Sequence, residues 1–139
     1  MNQLKVFTIK EASQLLPKIV PLIKELQTKR DTILKLEVEI DSMELVTPRE
    51  KEGGSPAFNA KVEEYTKLVN RFYSVIDEIH ETGCVLKDLD TGLIDFYSLY
   101  KGRVVYLCWK IEEPEIAFWH EIGSGYASRQ PIIEHSEER

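Results

Sequence analysis

Apolar residues recur along the first half of the chain at alternating spacings of four and three. From Ala12 they run through Leu16, Ile19, Ile23, Leu26, Ile33 and Ile40, with Arg30 and Glu37 filling the missing slots. This is a heptad seam, the pattern of a long helix laid against a partner helix. Thr8 and Glu11 stand three residues apart just ahead of it. That spacing makes a capping box, in which each side chain accepts from the other's free backbone N–H, so the helix starts near Ile9. Pro17 and Pro21 lie inside the seam. They predict a kink or a split there, with a new turn beginning at Pro17. Arg30 and Glu37 either pair with the partner helix or mark a half that projects into solvent.

The helix is expected to end before Pro48. Residues 48–56, PREKEGGSP, combine proline, charge and a Gly-Gly pair in the manner of a loop. A second helix follows from about Pro56, since proline suits a first helical position. Its seam is more regular: Phe58, Val62, Tyr65, Val69, Phe72, Ile76 and Ile79, ending at Gly83 after Thr82. Glycine there is a natural C-terminal cap. Two helices joined by a short loop are antiparallel neighbours, so residues 9–82 read as one long, coiled-coil-like helical hairpin.

From Cys84 the period changes to two. Val85 to Leu89 and Leu93 to Leu99 flank Asp90-Thr91-Gly92, and a three-residue loop with a left-handed glycine makes a type I turn plus a bulge. That register sets Leu86 against Phe96 and Lys87 against Asp95, an ordinary cross-strand ion pair. A two-residue turn would face Asp88 with Asp95 and is disfavoured, because like charges directly opposite repel. Val104 to Ile111 reads as a strong strand. Glu112 to Glu115 reads as a four-residue loop around Pro114, and Ile116 to Ile122 as the return strand. Pairing Ile111 with Ile116 puts Trp109, Phe118 and His120 on the face toward the hairpin, and Tyr106, Cys108, Trp119 and Glu121 on the other. Leu4 to Phe7 adds a candidate edge strand. Residues 84–131 thus form the sheet region, with Tyr126 to Pro131 lying across its end, and 134–139 read as a frayed acidic tail. The expected fold is α+β in a single domain: a long antiparallel two-helix hairpin packed on a small, mainly antiparallel sheet of about four strands.

Composition changes this picture little. At 139 residues the chain suits one domain and buries enough surface to fold without a metal or disulfide staple. Its net charge of −6, with Lys and Arg interleaved with Glu, argues against a nucleic-acid partner. No apolar run approaches the ~18 residues of a membrane span. Cys84 and Cys108 are not in a CxxC pair. A single disulfide between them is the alternative to two reduced thiols; with no signal-like start, the reading is reduced thiols in a cytoplasmic protein.

Candidate chemistry gathers between Arg103 and Pro131. His120 and Glu121 are adjacent on a strand and so point to opposite faces. His120 reads as a buried histidine bonded to a carbonyl or carboxylate, with a pocket-lining role as the alternative. Glu112, Glu113 and Glu115 around Pro114 read as a solvated turn, the alternative being that Glu113 or Glu115 folds back onto Arg129 as an ion pair. Arg129 is the best anion-binding candidate, beside the loosened backbone of Gly123-Ser124-Gly125-Tyr126, and equally a clamp on Glu113, Glu115 or Glu121. Trp119, on the outward face, walls a ligand site or meets another chain. Cys108, with Trp119 beside it and no histidine on its face, reads as inert. Asp90 is explained by its turn, while Asp88 and Asp95 are weak metal candidates that lack an EF-hand ligand series. No metal or cofactor is expected.

The segments YLCWKIEEPEIAFWHEI and GYASRQP, preceded by GCVLKDLDTGLIDF, are similar to those of a bacterial and archaeal family known as domain of unknown function 2203. The resemblance covers roughly Val6 to Ile132. It rests on Lys87, Asp88, Asp90, Gly92, Asp95, Phe96, Trp109, Glu113, Pro114, Glu115, Trp119, His120, Gly125, Arg129 and Pro131. It implies a small prokaryotic cytoplasmic protein and brings no activity with it.

The function expected is therefore that of a non-enzymatic interaction or scaffold protein that self-associates, as a dimer, through the exposed seam or the Trp119 face. A helix of about 35 residues runs roughly 50 Å, longer than a small sheet covers. The alternative is a small-ligand or metal-assisted enzyme, its site drawn from Trp119, His120, Glu121, Tyr126, Arg129, Glu113 and Glu115, with Asp88 and Asp95 nearby.

Overall fold

The computed structural model describes residues 4–46 and 55–133. Most of the expected 48–56 loop and all of the 134–139 tail lie outside the described residues. Helix α1 spans Ile9–Val46 and α2 spans Pro56–Glu81. The capping box forms as its spacing requires: the Thr8 N–H donates to Glu11 Oε1 at 2.9 Å, and the Glu11 N–H to Thr8 Oγ1 at 3.0 Å. Pro56 takes the first turn of α2, and the Ser55 hydroxyl accepts from the Phe58 N–H at 3.0 Å. Thr82 caps the other end, and Gly83 adopts a left-handed φ of 103° under the Phe7 ring. A Cβ at position 83 would lie 2.8 Å from that ring, so glycine is required twice over.

α1 runs unbroken through both prolines, so of the kink or split expected there the split does not occur. Pro17 and Pro21 are four residues apart and therefore share one face of the helix, and both are exposed. The hydrogen bonds they forgo lie on the water side, where solvent replaces them.

Five strands follow: β1 (Cys84–Asp88), β2 (Leu93–Tyr100), β3 (Arg103–Trp109), β4 (Phe118–Glu121) and β5 (Gln130–Pro131). They pair in sequence order, each antiparallel to the next. The sheet has five strands rather than about four because the segment after the glycines returns along β4, setting Gln130 against Trp119. Leu4 to Phe7 makes no strand. Phe7 instead caps the open edge of β2, its N–H donating to the Tyr97 carbonyl at 2.7 Å and its carbonyl accepting from Ser98 Oγ at 2.6 Å.

Two registers differ from the expected ones. Between β1 and β2, Val85 stands opposite Asp95, and the ladder shifts by one residue between Leu86 and Asp88. The Lys87–Asp95 ion pair forms nonetheless, at 3.2 Å, along the diagonal from the Val85–Asp95 pair. Between β3 and β4 the slip matters more. Cys108 pairs with Phe118, Leu107 with Trp119 and Tyr106 with His120. The turn forms at Lys110–Glu113, not at Glu112–Glu115. There the Lys110 N–H donates to Glu113 Oε1 at 3.1 Å, and the Glu113 N–H to the Lys110 carbonyl at 2.9 Å. A shift of one residue turns every β4 side chain over. Trp119 therefore faces the helices and His120 the opposite side, the reverse of the expected arrangement.

The core lies between the hairpin and one face of the sheet. Ala12, Ile19, Ile23 and Leu26 of α1 and Val75 and Ile79 of α2 meet Phe96, Val105, Leu107, Trp109 and Trp119. This packing uses the first half of α1. Beyond Arg30, only Leu36 of that helix is buried, and the 38-residue helix runs about 57 Å in all.

Candidate functional site

The face of the sheet turned away from the helices carries Asp95, Tyr97, Tyr106, Cys108, Phe118 and His120 on neighbouring strands, as the register requires. At its centre Asp95, Cys108 and His120 are all buried, at 1%, 0% and 1% exposure. One ligand atom from each lies within 4.8 Å of the others. His120 is held at both ring nitrogens: Nδ1 is 2.9 Å from the Glu121 carbonyl and Nε2 is 3.1 Å from Asp95 Oδ2. A carbonyl only accepts, so Nδ1 carries a hydrogen. Nε2 then faces a carboxylate oxygen, and a proton must sit between the two for them to attract. The expected buried, bonded histidine is thus what the geometry places here.

Asp95 is a carboxylate in the middle of an apolar strand, and its partners divide unevenly. Oδ2 receives both His120 and Lys87. Oδ1 is buried without a hydrogen-bond partner. Lys87 reaches in over the Tyr106 ring, 4.4 Å from its centroid, and Tyr106 donates its hydroxyl hydrogen to that of Tyr97 at 3.1 Å. Burial, reinforced by Tyr97, pushes the Tyr106 hydroxyl up to about 12. Burial, with the Asp95 charge beside it, pushes the Cys108 thiol up to about 12 as well. Contrary to expectation, Cys108 does have a histidine on its face.

A second group lies beside the first. The Arg129 guanidinium pairs with Glu113 and lies over the Phe118 and Tyr126 rings, at 4.0 and 4.6 Å. Lys110 donates to the Tyr126 hydroxyl at 2.9 Å. Of the partners expected for Arg129, Glu113 is the one engaged, Glu115 is exposed, and Glu121 binds Arg103 instead. Arg103 holds the Glu121 carboxyl below its ordinary value. Trp119 is far from this face, buried in the core with its ring centroid 4.9 Å from that of Tyr100.

The acidic turn separates from the site. Asp88 accepts from the Thr91 hydroxyl at 2.7 Å and from its N–H at 3.1 Å, contacts that lower its carboxyl. Asp90 pairs with Arg30 of α1. The structure thus gathers His120, Arg129, Glu113 and Tyr126 on one face, together with Asp95. It leaves out Trp119, Glu121, Glu115 and Asp88. Sequence reasoning missed Cys108, Lys87, Tyr97 and Tyr106 as neighbours of His120. The available signal was Asp95 itself, a charge inside LIDFYSLY that had to be met by partners from adjacent strands.

Comparison with known proteins gives one match. The sequence model of a family described as "Uncharacterized conserved protein (DUF2203)" matches residues 5–132. No curated protein and no solved structure matches the chain.

Proposed function

Taking as premise that the chain belongs to the DUF2203 family, we propose that it is an interaction protein that pairs with a second copy of itself through the outer half of its helical hairpin. The observation that carries this reading is a second apolar seam on α1. Ile33, Leu36 and Ile40 turn toward α2, with Glu37 accepting from the Tyr65 hydroxyl at 2.7 Å. Next to them Leu34, Val38 and Leu45 run along the same helix at 53%, 65% and 87% exposure. With Asp41 the spacing of this second seam is four, three, four. A helix with two adjacent seams has the wide apolar face of a bundle member, and one seam has its partner within this chain.

The pattern suits an identical, antiparallel partner. Pairing Leu34 with Leu45 of the copy brings Val38 to Asp41 in the next layer, and the two-fold axis repeats both contacts. Two hollows beside this seam, one lined by Asp41, Val62 and Tyr65 and the other by Leu34, Tyr65, Val69 and Tyr73, would receive the copy's helix and complete a four-helix bundle. A nucleic-acid partner fits poorly, since Arg30, Arg71, Arg103, Arg129 and Lys61 are each engaged by carboxylates. No described helix is long and apolar enough to cross a membrane. The reading as a cytoplasmic protein rests on Cys84 and Cys108, both free thiols.

Light scattering coupled to size exclusion tests the proposal. The native protein should run as a dimer. Leu34→Glu with Val38→Glu should run as a monomer with an unchanged melt at high dilution, and Asp41→Leu should tighten the dimer. A strict monomer at high concentration would overturn the reading. The alternative, a small-ligand-binding or metal-assisted enzyme with its site around His120 and Arg129, is less supported, because His120 is sealed and Arg129 is already paired with Glu113.

A further inference from the structure

The geometry points to a transition-metal site built from Asp95, Cys108 and His120, suited to a divalent, borderline-soft ion of the zinc class. The donor set is a carboxylate, a thiol and an imidazole, the groups that such ions select. Three observations support it. The ligand atoms already lie within 4.8 Å of one another on three adjacent strands, and a tetrahedral zinc shell needs them about 3.5 Å apart. His120 also has the outer support typical of a metal ligand, its Nδ1–H donating to the Glu121 carbonyl and so aiming Nε2 inward. Finally, Asp95 Oδ1 is buried without a partner while Oδ2 is occupied by Lys87 and His120. A buried carboxylate oxygen with nothing to accept from is costly unless a cation meets it.

Charge balance also closes. On binding, a dication displaces two protons, one shared by His120 Nε2 and Asp95 and one from the Cys108 thiol. Carboxylate and thiolate then neutralise the ion, and Lys87 keeps its place on Oδ2. Three protein donors leave one position of a tetrahedral shell for a fourth ligand. Asp88 takes no part, because Thr91 occupies its carboxylate.

The test is titration of the demetallated full chain with Co(II) and Zn(II). Uptake of a single equivalent with a thiolate-to-cobalt charge-transfer band in the near ultraviolet is expected. Cys108→Ser should abolish the band and weaken uptake by at least about 100-fold, while Cys84→Ser should keep both. X-ray absorption on the zinc-loaded native protein reads the same shell without any substitution, and should find one sulfur at about 2.3 Å. It decides the matter if Cys108→Ser fails to fold. No uptake, a shell of oxygen and nitrogen alone, or a band that survives Cys108→Ser would overturn the proposal.

Discussion

Replacing Trp119 by alanine tests the register that decides both the core and the outer face. Trp119 is 7% exposed and packs in the core against Tyr100, with the Arg103 guanidinium 5.5 Å from its ring. A buried aromatic side chain hides about 150–250 Å², which at about 25 cal/mol per Å² is roughly 4–6 kcal/mol. Measured truncations of buried Trp and Phe cost about 3–5 kcal/mol, so about 4 kcal/mol is the expected loss. For 139 residues at about 2.1 cal/mol/K each, the unfolding entropy is roughly 0.29 kcal/mol/K, and the melting temperature should fall by about 14 °C. Urea unfolding with the slope held common to both proteins gives the free energy directly. Phe118→Ala is the control from the opposite face, where the ring is only half-buried beneath Arg129, and it should cost the lesser amount. A loss below about 1 kcal/mol at Trp119, with the larger loss at Phe118, would mean that β4 lies the other way up. The Asp95–Cys108–His120 cluster would then dissolve with it.

Other expectations follow from single contacts. Thr8→Ala should cost about 1 kcal/mol, and adding Glu11→Ala should cost less than the sum of the two changes, since each side chain completes the same box; additive losses in a double-mutant cycle would contradict the geometry. Gly92→Ala forces a side chain onto a φ of 67° and sets its Cβ 2.6 Å from Ile111, so thermal unfolding should show a loss above the roughly 1–2 kcal/mol of the left-handed backbone alone. Burial raises the Cys84 thiol from 9.0 to about 11. Between those values the unfolded chain binds fewer protons than the folded one, so stability is complete below pH 9 and declines toward pH 11. Denaturant melts across that window should show a shallower decline for Cys84→Ala, and an unchanged slope would refute the assignment.

The sequence by itself determined whatever depends on near neighbours in the chain. The Thr8–Glu11 box, Pro56 at a helix start and Gly83 at a helix end follow from groups within a few residues of each other. The two seams and the inward faces of β2 and β3 follow from period alone. The Lys87–Asp95 ion pair was legible although the register expected for it was not, and Glu113 was one of three partners weighed for Arg129, because charges on adjacent elements find each other within the reach of flexible side chains. What only the tertiary structure decided is which way β4 faces. The Glu113 carboxylate accepts from the Lys110 N–H in the turn that accompanies this setting. A strand's side chains alternate with a period of two, so nothing in FWHE distinguishes the two settings a residue apart. In the core Trp119 packs with its ring centroid 4.9 Å from that of Tyr100. His120 is thereby turned onto Asp95 and Cys108, residues 25 and 12 positions upstream in the chain. Burial of a charge needs partners from other strands, and their meeting is fixed by packing across the sheet, not by spacing along the chain.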